Sequence, residues 1–254
     1  MPELDLVTIP CRSDNYAFLV HDAATGETAL VDAPEAAPIA AELERRGWTL
    51  TDILITHHHG DHVEGVPALR AGARVIGAAA DAHRLPELDL AVQDGDTITV
   101  CGAEVAVMDA SGHTMGHLAF YMPDAGAVFT ADSLMALGCG RLFEGDAPTM
   151  WRTLTRLAAL PPDILVCSGH EYTEANGRFA LSVDGDNPAL AARMDAIRAA
   201  RSRGAPTVPS RLSDEIATNP FLRARDPGVK AALGMAGADD VDVFAEIRRR
   251  KDAF

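Results

Sequence analysis

The chain has 254 residues, 48% of them apolar, enough for one large domain or a domain with a smaller appendage around a sizeable core. Its formal net charge of −15 excludes the global positive field that draws nucleic acid or an anionic membrane, so neither is an expected partner. No stretch approaches the roughly 20 apolar residues of a membrane span, and the start, Met-Pro-Glu-Leu-Asp, lacks the basic flank and apolar run of a signal peptide; the expected location is the cytoplasm.

In chain order, Tyr16–Val20 and Thr28–Asp32 flank the turn-forming Asp22-Ala-Ala-Thr-Gly26, which predicts a hairpin. Residues 35–47 carry an amphipathic helical pattern closed by Gly47. Ile53–Ile55 is a short buried strand that runs straight into Thr56-His-His-His-Gly-Asp-His62. Strands are expected at 74–76, 97–100 and 103–108, and a hairpin at 118–122 and 127–130 turning through Pro123-Asp-Ala-Gly126. A helix follows around 147–160, then a last strand at 164–167. After Tyr172 strand signals stop, and 187–203, 226–234 and 239–251 read as helices. The expected class is α/β: two sheets with helices outside, an αββα arrangement, then a helical domain beyond a boundary near 170.

Thr56–His62 holds four histidines and an aspartate in seven positions. A cluster that mixes imidazole and carboxylate is the donor chemistry of a transition-metal site. His57, His59, Asp61, His62, His113, Asp132 and His170 each lie just after an apolar strand, where rigid support for a site is found. These donors are too many for one tetrahedral ion and fit two ions that share a carboxylate. His58 is expected to point away from His57 and His59 and is left outside the set. His117 suits a hydrogen bond to a ligand or substrate and a structural role equally. The four cysteines are widely spaced, with no Cys-x-x-Cys pair, and read as reduced buried thiols rather than nucleophiles or ligands.

The motif at 56–62, followed in order by His113, Asp132 and His170, resembles the metal-binding signature of the metallo-β-lactamase superfamily. A closer resemblance, to the glyoxalase II (hydroxyacylglutathione hydrolase) family, runs through Ser13-Asp-Asn-Tyr-Ala17, Gly112-His-Thr-Met-Gly-His117 and Phe129-Thr-Ala-Asp-Ser133. It continues through Gly138-Cys-Gly-Arg-Leu-Phe-Glu-Gly145, Ser168-Gly-His-Glu-Tyr-Thr173, Ala217-Thr-Asn-Pro-Phe-Leu-Arg223 and Arg248-Arg-Arg-Lys-Asp252.

The resemblance implies a metallo-β-lactamase-like dinuclear metal domain over 1–170 and a helical domain over 171–254 that contributes to glutathione binding. It implies one metal on His57, His59 and His113, a second on Asp61, His62 and His170, and Asp132 bridging them with a water or hydroxide. Asp61 and Asp132 are then the catalytic carboxylates. The implied cofactors are two divalent ions, zinc first, with iron or manganese as alternatives. The implied reaction takes S-(2-hydroxyacyl)glutathione, such as S-D-lactoylglutathione, and water to a 2-hydroxy acid and glutathione, the second step of methylglyoxal detoxification. Such chemistry needs no serine or cysteine nucleophile, because two cations lower the pKa of water and a thiolate leaves readily.

Arg141, Phe143, Tyr172, Arg248 and Lys251 are the implied substrate contacts, and the spacing of Arg248 and Lys251 puts both on one helix face. Two positions depart from the family pattern: Phe143 stands where some relatives have tyrosine, and Gly60 where a bulky residue is frequent. Another superfamily hydrolase, a glutathione persulfide dioxygenase and a binding module with a degraded site are the competing readings. The helical C-terminal third and the complete donor set count against them. A monomer or weak homo-oligomer is expected.

Overall fold

Strands β1 (Leu4–Cys11) and β2 (Asn15–Asp22) pair antiparallel, Leu4 opposite Asp22 and Cys11 opposite Asn15, in a computed structural model that describes residues 4–254. The chain divides into two units, Met1–Ala110 with Gly116–Ala131, and Ser111–Met115 with Asp132–Phe254.

In the first unit, β2 is buried along its whole length, which is why it reads as a continuous apolar run rather than an alternation. It is followed in one sheet by β3 (Thr28–Val31), β4 (Asp52–Leu54), β5 (Arg74–Ala78) and β6 (Leu90–Val92), in the order β1-β2-β3-β4-β5-β6. The β3–β4, β4–β5 and β5–β6 pairs are parallel, so each needs a crossover. The first crossover contains helix α1 (Ala36–Arg46), which packs Ile39 and Leu43 with Leu19, Leu30, Ile53 and Val75. Each such fully buried aliphatic side chain contributes roughly 1.5–3 kcal/mol.

The helix ends where the sequence predicts. Gly47 takes φ 71°, its N–H donates to the Glu44 carbonyl, and Trp48 N–H reaches back to Leu43. Beyond β4 lie two single-turn helices, α2 (Gly60–Val63) and α3 (Val66–Leu69). The unit's other strands, β7 (Thr97–Val100), β8 (Ala103–Asp109), β9 (Leu118–Met122) and β10 (Ala127–Ala131), form an antiparallel meander.

The second unit opens with the short hairpin β11 (Leu134–Met135) and β12 (Gly138–Cys139). Helix α4 (Ala147–Leu157) follows, its first turn capped by the Asp146 carboxylate on Thr149 N–H. Strand β13 (Leu165–Ser168) pairs antiparallel with the two-residue β14 (Ser210–Arg211). The remainder is helical: α5 (Thr173–Val183), α6 (Pro188–Arg201), α7 (Leu212–Thr218), α8 (Pro227–Ala232) and α9 (Asp240–Asp252). A small core of Leu137, Ala180, Leu190, Met194 and Ile197 joins α5 and α6 to the loop after β11.

β1, β6, α5 and α7 are among the elements that escape the sequence pattern. β1 is a half-exposed edge strand that carries Pro10, and β6 has three residues. α5 contains Asn176 and Gly177, both weak helix formers, and is held instead by burying Thr173, Asn176, Phe179 and Ala180. α7 is too short to show a helical period. No helix among the described residues is long and apolar enough to cross a membrane.

Candidate metal centre

In the first unit the donors leave the carboxyl end of β4 as one turn. Its anchor is Asp32, a residue sequence reasoning read only as the end of a strand. Asp32 is buried and holds φ 56°, a left-handed conformation that costs a non-glycine residue energy. There its carboxylate accepts from Thr56 N–H (2.9 Å), Thr56 Oγ1 (2.8 Å) and His62 Nδ1 (2.8 Å). Thr56 Oγ1, its proton given to Asp32, accepts in turn from His57 Nδ1 at 3.0 Å.

Both buried imidazoles therefore carry their proton on Nδ1 and present Nε2 as the basic nitrogen, the arrangement in which an outer carboxylate orients a metal-ligating histidine. His57 Nε2 lies 3.1 Å from His59 Nδ1, and His62 Nε2 lies 3.9 Å from an Asp61 carboxylate oxygen. Asn15, from the Ser13–Ala17 motif, donates its amide to both the carbonyl and the carboxylate of Asp61 at 3.1 Å. Basic nitrogens and a carboxylate gathered this closely, with low exposure, are a donor set for a divalent cation.

His58 turns to the buried carboxylate of Asp81 at 3.2 Å, which Arg84 also grips. His117 is fully buried, stacks on the His57 ring at 4.6 Å and donates Nδ1 to the Leu118 carbonyl. Gly60 is not in the left-handed region, and a side chain there would meet only the movable end of Glu64. The glycine is thus not demanded by the turn.

In the second unit, His113, Asp132 and His170 come together from three separate loops. His113 Nε2 and His170 Nε2 lie 3.5 and 3.3 Å from the same Asp132 oxygen. His113 Nδ1 donates to the Arg141 carbonyl at 2.8 Å, which leaves Nε2 as its basic nitrogen too. Gly140 makes this approach possible, because a Cβ there would lie 1.9 Å from the Asp132 carbonyl.

The residues expected to contact substrate also belong to this unit. Tyr172 is 40% exposed and stacks on His170 at 4.6 Å, and Phe143 is 63% exposed and meets His113 edge-on at 5.2 Å. Arg141 is exposed. Arg248 is only 5% exposed: its guanidinium lies over Phe221, donates to the Cys139 carbonyl (3.0 Å) and binds Asp252 (2.7 Å). Lys251 packs its ammonium over the rings of Phe179 and Phe254. Burial holds its pKa below the ordinary lysine value, and the positive charges of Arg248, Arg178 and Arg141 push the same way. These cations therefore act on one another, and Arg178, one helical turn beyond Glu174 on α5, is a member the sequence reading missed.

The four cysteines are buried and none is in a disulfide. Burial pushes Cys11 and Cys101 up to about 12 and Cys139 to about 11, and raises Cys167 as well.

Residues 12–170 match the model of the metallo-β-lactamase superfamily, and residues 171–254 match that of the hydroxyacylglutathione hydrolase C-terminus. The chain is 64% identical over 253 residues to a hydroxyacylglutathione hydrolase of Cereibacter sphaeroides, covering 99% of both chains. The chain belongs to the hydroxyacylglutathione hydrolase family.

The family's two sequence models cover the α/β region and the helical region in turn, which is the α/β class with a helical C-terminal part expected from the sequence. The fold is also that of ETHE1 from Myxococcus xanthus, with a TM-score of 0.68 at 24% identity over 97% of this chain and 89% of that one. The protein TTHA1623, solved in a di-iron-bound form, aligns at 27% identity and a TM-score of 0.55 over 65% of this chain and 91% of its own. Like other members of the superfamily, the chain carries a His/Asp donor set of the kind that binds divalent metal.

Proposed function

We propose that the chain is a metal-dependent thioesterase that hydrolyses S-(2-hydroxyacyl)glutathione, such as S-D-lactoylglutathione, to a 2-hydroxy acid (D-lactate) and glutathione, the second step of methylglyoxal detoxification. The observation that carries this reading is full-length identity of 64% to a hydroxyacylglutathione hydrolase. Residues 1–170 form the metal domain, and 171–254 the domain that contributes to glutathione binding.

One divalent ion would be held by His57, His59 and His113 and a second by Asp61, His62 and His170, with Asp132 serving both. Zinc suits these nitrogen and oxygen donors first, with iron or manganese as alternatives. When bound, the two ions supply a water of lowered pKa and a Lewis acid for the thioester carbonyl. The chain's own residues do the rest. Asp32 and the Arg141 carbonyl fix which nitrogen His62 and His113 present. Asp61 and Asp132 supply the negative charge that neutralises the ions.

Arg141 and Lys251 offer cations to the glutathione carboxylates, Arg248 stiffens and charges their surroundings, and Tyr172 and Phe143 flank the donors with partly exposed rings. The leaving thiolate is stable enough near neutral pH to depart without a strong acid. All of these groups come from one chain, so a monomer or weak homo-oligomer suffices. Four cysteines outside any disulfide suit the reducing cytoplasm, where we place the protein.

The test is turnover of S-D-lactoylglutathione by metal-replete enzyme, with and without chelator, beside metal analysis of the same sample. Chelator-sensitive hydrolysis with two metals per chain is expected. Metal-replete enzyme that does not turn the thioester over above background would overturn the reading.

A further inference from the structure

The Ala217–Arg223 motif has no part in the donor set or the substrate contacts above, yet its side chains reach the loop that leads from Asp132 to Arg141. That loop carries the β11–β12 hairpin and is also held from outside by side chains. Leu137 adopts φ 55°, a left-handed conformation unusual for a leucine, and its N–H donates to the Glu215 carboxylate at 2.8 Å. Asn219 shares its amide hydrogens among the Met135 carbonyl (3.1 Å), the Gly138 carbonyl (2.9 Å) and Glu215. Asn176 donates to the Ala136 carbonyl at 3.1 Å, and Arg248 to that of Cys139 at 3.0 Å. From 135 to 139 every carbonyl but that of Leu137 accepts from one of these side chains. Glu215 and Asn219 are both fully buried, and Arg193 pairs with Glu215.

A carboxylate buried this completely is expensive unless it is paired and hydrogen-bonded. Glu215 has Arg193 and the Asn219 amide as partners, and it also accepts from the backbone N–H of a strained loop residue. Two residues past the clamped stretch, the Arg141 carbonyl fixes the proton of His113 on Nδ1, and the Arg141 side chain faces solvent. We propose that Glu215 and Asn219 are positioning residues: they set the backbone of residues 135–139, and through it the Arg141 carbonyl that aims His113 Nε2 at its metal. The proposal rests on the thioesterase reading for its kinetic readout, but its metal-retention readout does not.

The experiment uses the full-length, metal-loaded enzyme and two double variants, Glu215→Gln with Arg193→Met and Glu215→Leu with Arg193→Met. Both remove the ion pair, but only glutamine keeps an oxygen for the Leu137 N–H. Asn219→Ala removes the two carbonyl clamps, and Asn219→Ser serves if the alanine variant does not fold. Each is measured for kcat and KM on S-D-lactoylglutathione, for the chelator concentration that strips half of its metal, and for far-UV circular dichroism.

The glutamine double variant is expected to stay within about twofold of wild type in kcat and metal retention. The leucine double variant and the Asn219 variant are expected to lose on the order of tenfold in both with unchanged circular dichroism, as removal of an outer partner of a metal ligand does. Folded leucine and Asn219 variants with wild-type kcat and metal retention, whatever their melting temperature, would overturn the proposal. Equal losses in the glutamine and leucine variants would overturn it too, because the ion pair and not the loop hydrogen bond would then be the cause. A wild-type enzyme inert toward the thioester defeats the functional reading alone, since metal retention still reports on the clamp.

Discussion

The two donor sets are built in opposite ways. In the first unit, His57, His59, Asp61 and His62 sit on one turn, and a single carboxylate, Asp32, organises that turn by gripping both Thr56 and His62. In the second unit, His113, Asp132 and His170 come from loops far apart in the chain. Their order depends on a carbonyl, that of Arg141, at the end of a loop held by buried side chains. A contiguous set needs one anchor and short loop closure, whereas a dispersed set needs a scaffold that has already folded. The lesson is that the first set is locally encoded, and the second inherits its precision from the helical region.

Substitutions test this contrast, and the largest effect is expected at Asp132. Asp132→Ala removes the carboxylate that both His113 and His170 face, and should lower kcat by well over the roughly 100-fold that the loss of an outer partner costs, with metal content falling below two per chain. Activity within tenfold of wild type would remove Asp132 from the centre. Asp32→Asn keeps the shape of the anchor but not its charge, and should weaken metal retention by roughly 10- to 100-fold in a chelator titration. If it instead matches wild type, the contiguous turn does not depend on Asp32 and the contrast fails.

Lys251 tests the basic region of the second unit. Its folded pKa is depressed, so its proton leaves at a lower pH than that of an ordinary lysine, and its attraction for a glutathione carboxylate fades there as pH rises. KM for the thioester should therefore climb with rising pH earlier in wild type than in Lys251→Arg, whose guanidinium stays charged. Superimposable pH profiles for the two enzymes would exclude Lys251 as the titrating group. The smallest effect is expected at the cysteines: with all four buried and their pKa values raised, an aromatic disulfide reagent should label native protein far more slowly than protein in denaturant. Rapid native labelling at neutral pH would mean that a thiol is exposed by local opening.

Much of the first unit was legible in the sequence because its signals are local. Apolar runs ending in turn residues marked β2, β3, β4 and the β9–β10 hairpin, and Gly47 marked the end of α1 by the one conformation glycine supplies cheaply. The helices α6, α8 and α9 were legible from Ala, Arg and Leu at helical spacing once strand signals stop. α5 was not, because Asn176 and Gly177 argue against a helix until their burial is known. Asp32 and Asn15 were not recognised as anchors, although Asn15 lay in a motif already in view, because their partners lie 24 to 46 residues away in the chain.

By itself the sequence determined the donor chemistry, the family and the helical character of the C-terminal third, since residue type, order and period are properties of the chain alone. Tertiary structure decided what periodicity cannot carry: that Asp32 sets the proton of His62, that His117 lies stacked on His57, and that Arg248 is buried on the Cys139 carbonyl. It also decided that Asn219 of the Ala217–Arg223 motif reaches a distant loop, because a hydrogen bond between Asn219 and Met135 spans 84 residues and exists only once both ends are packed.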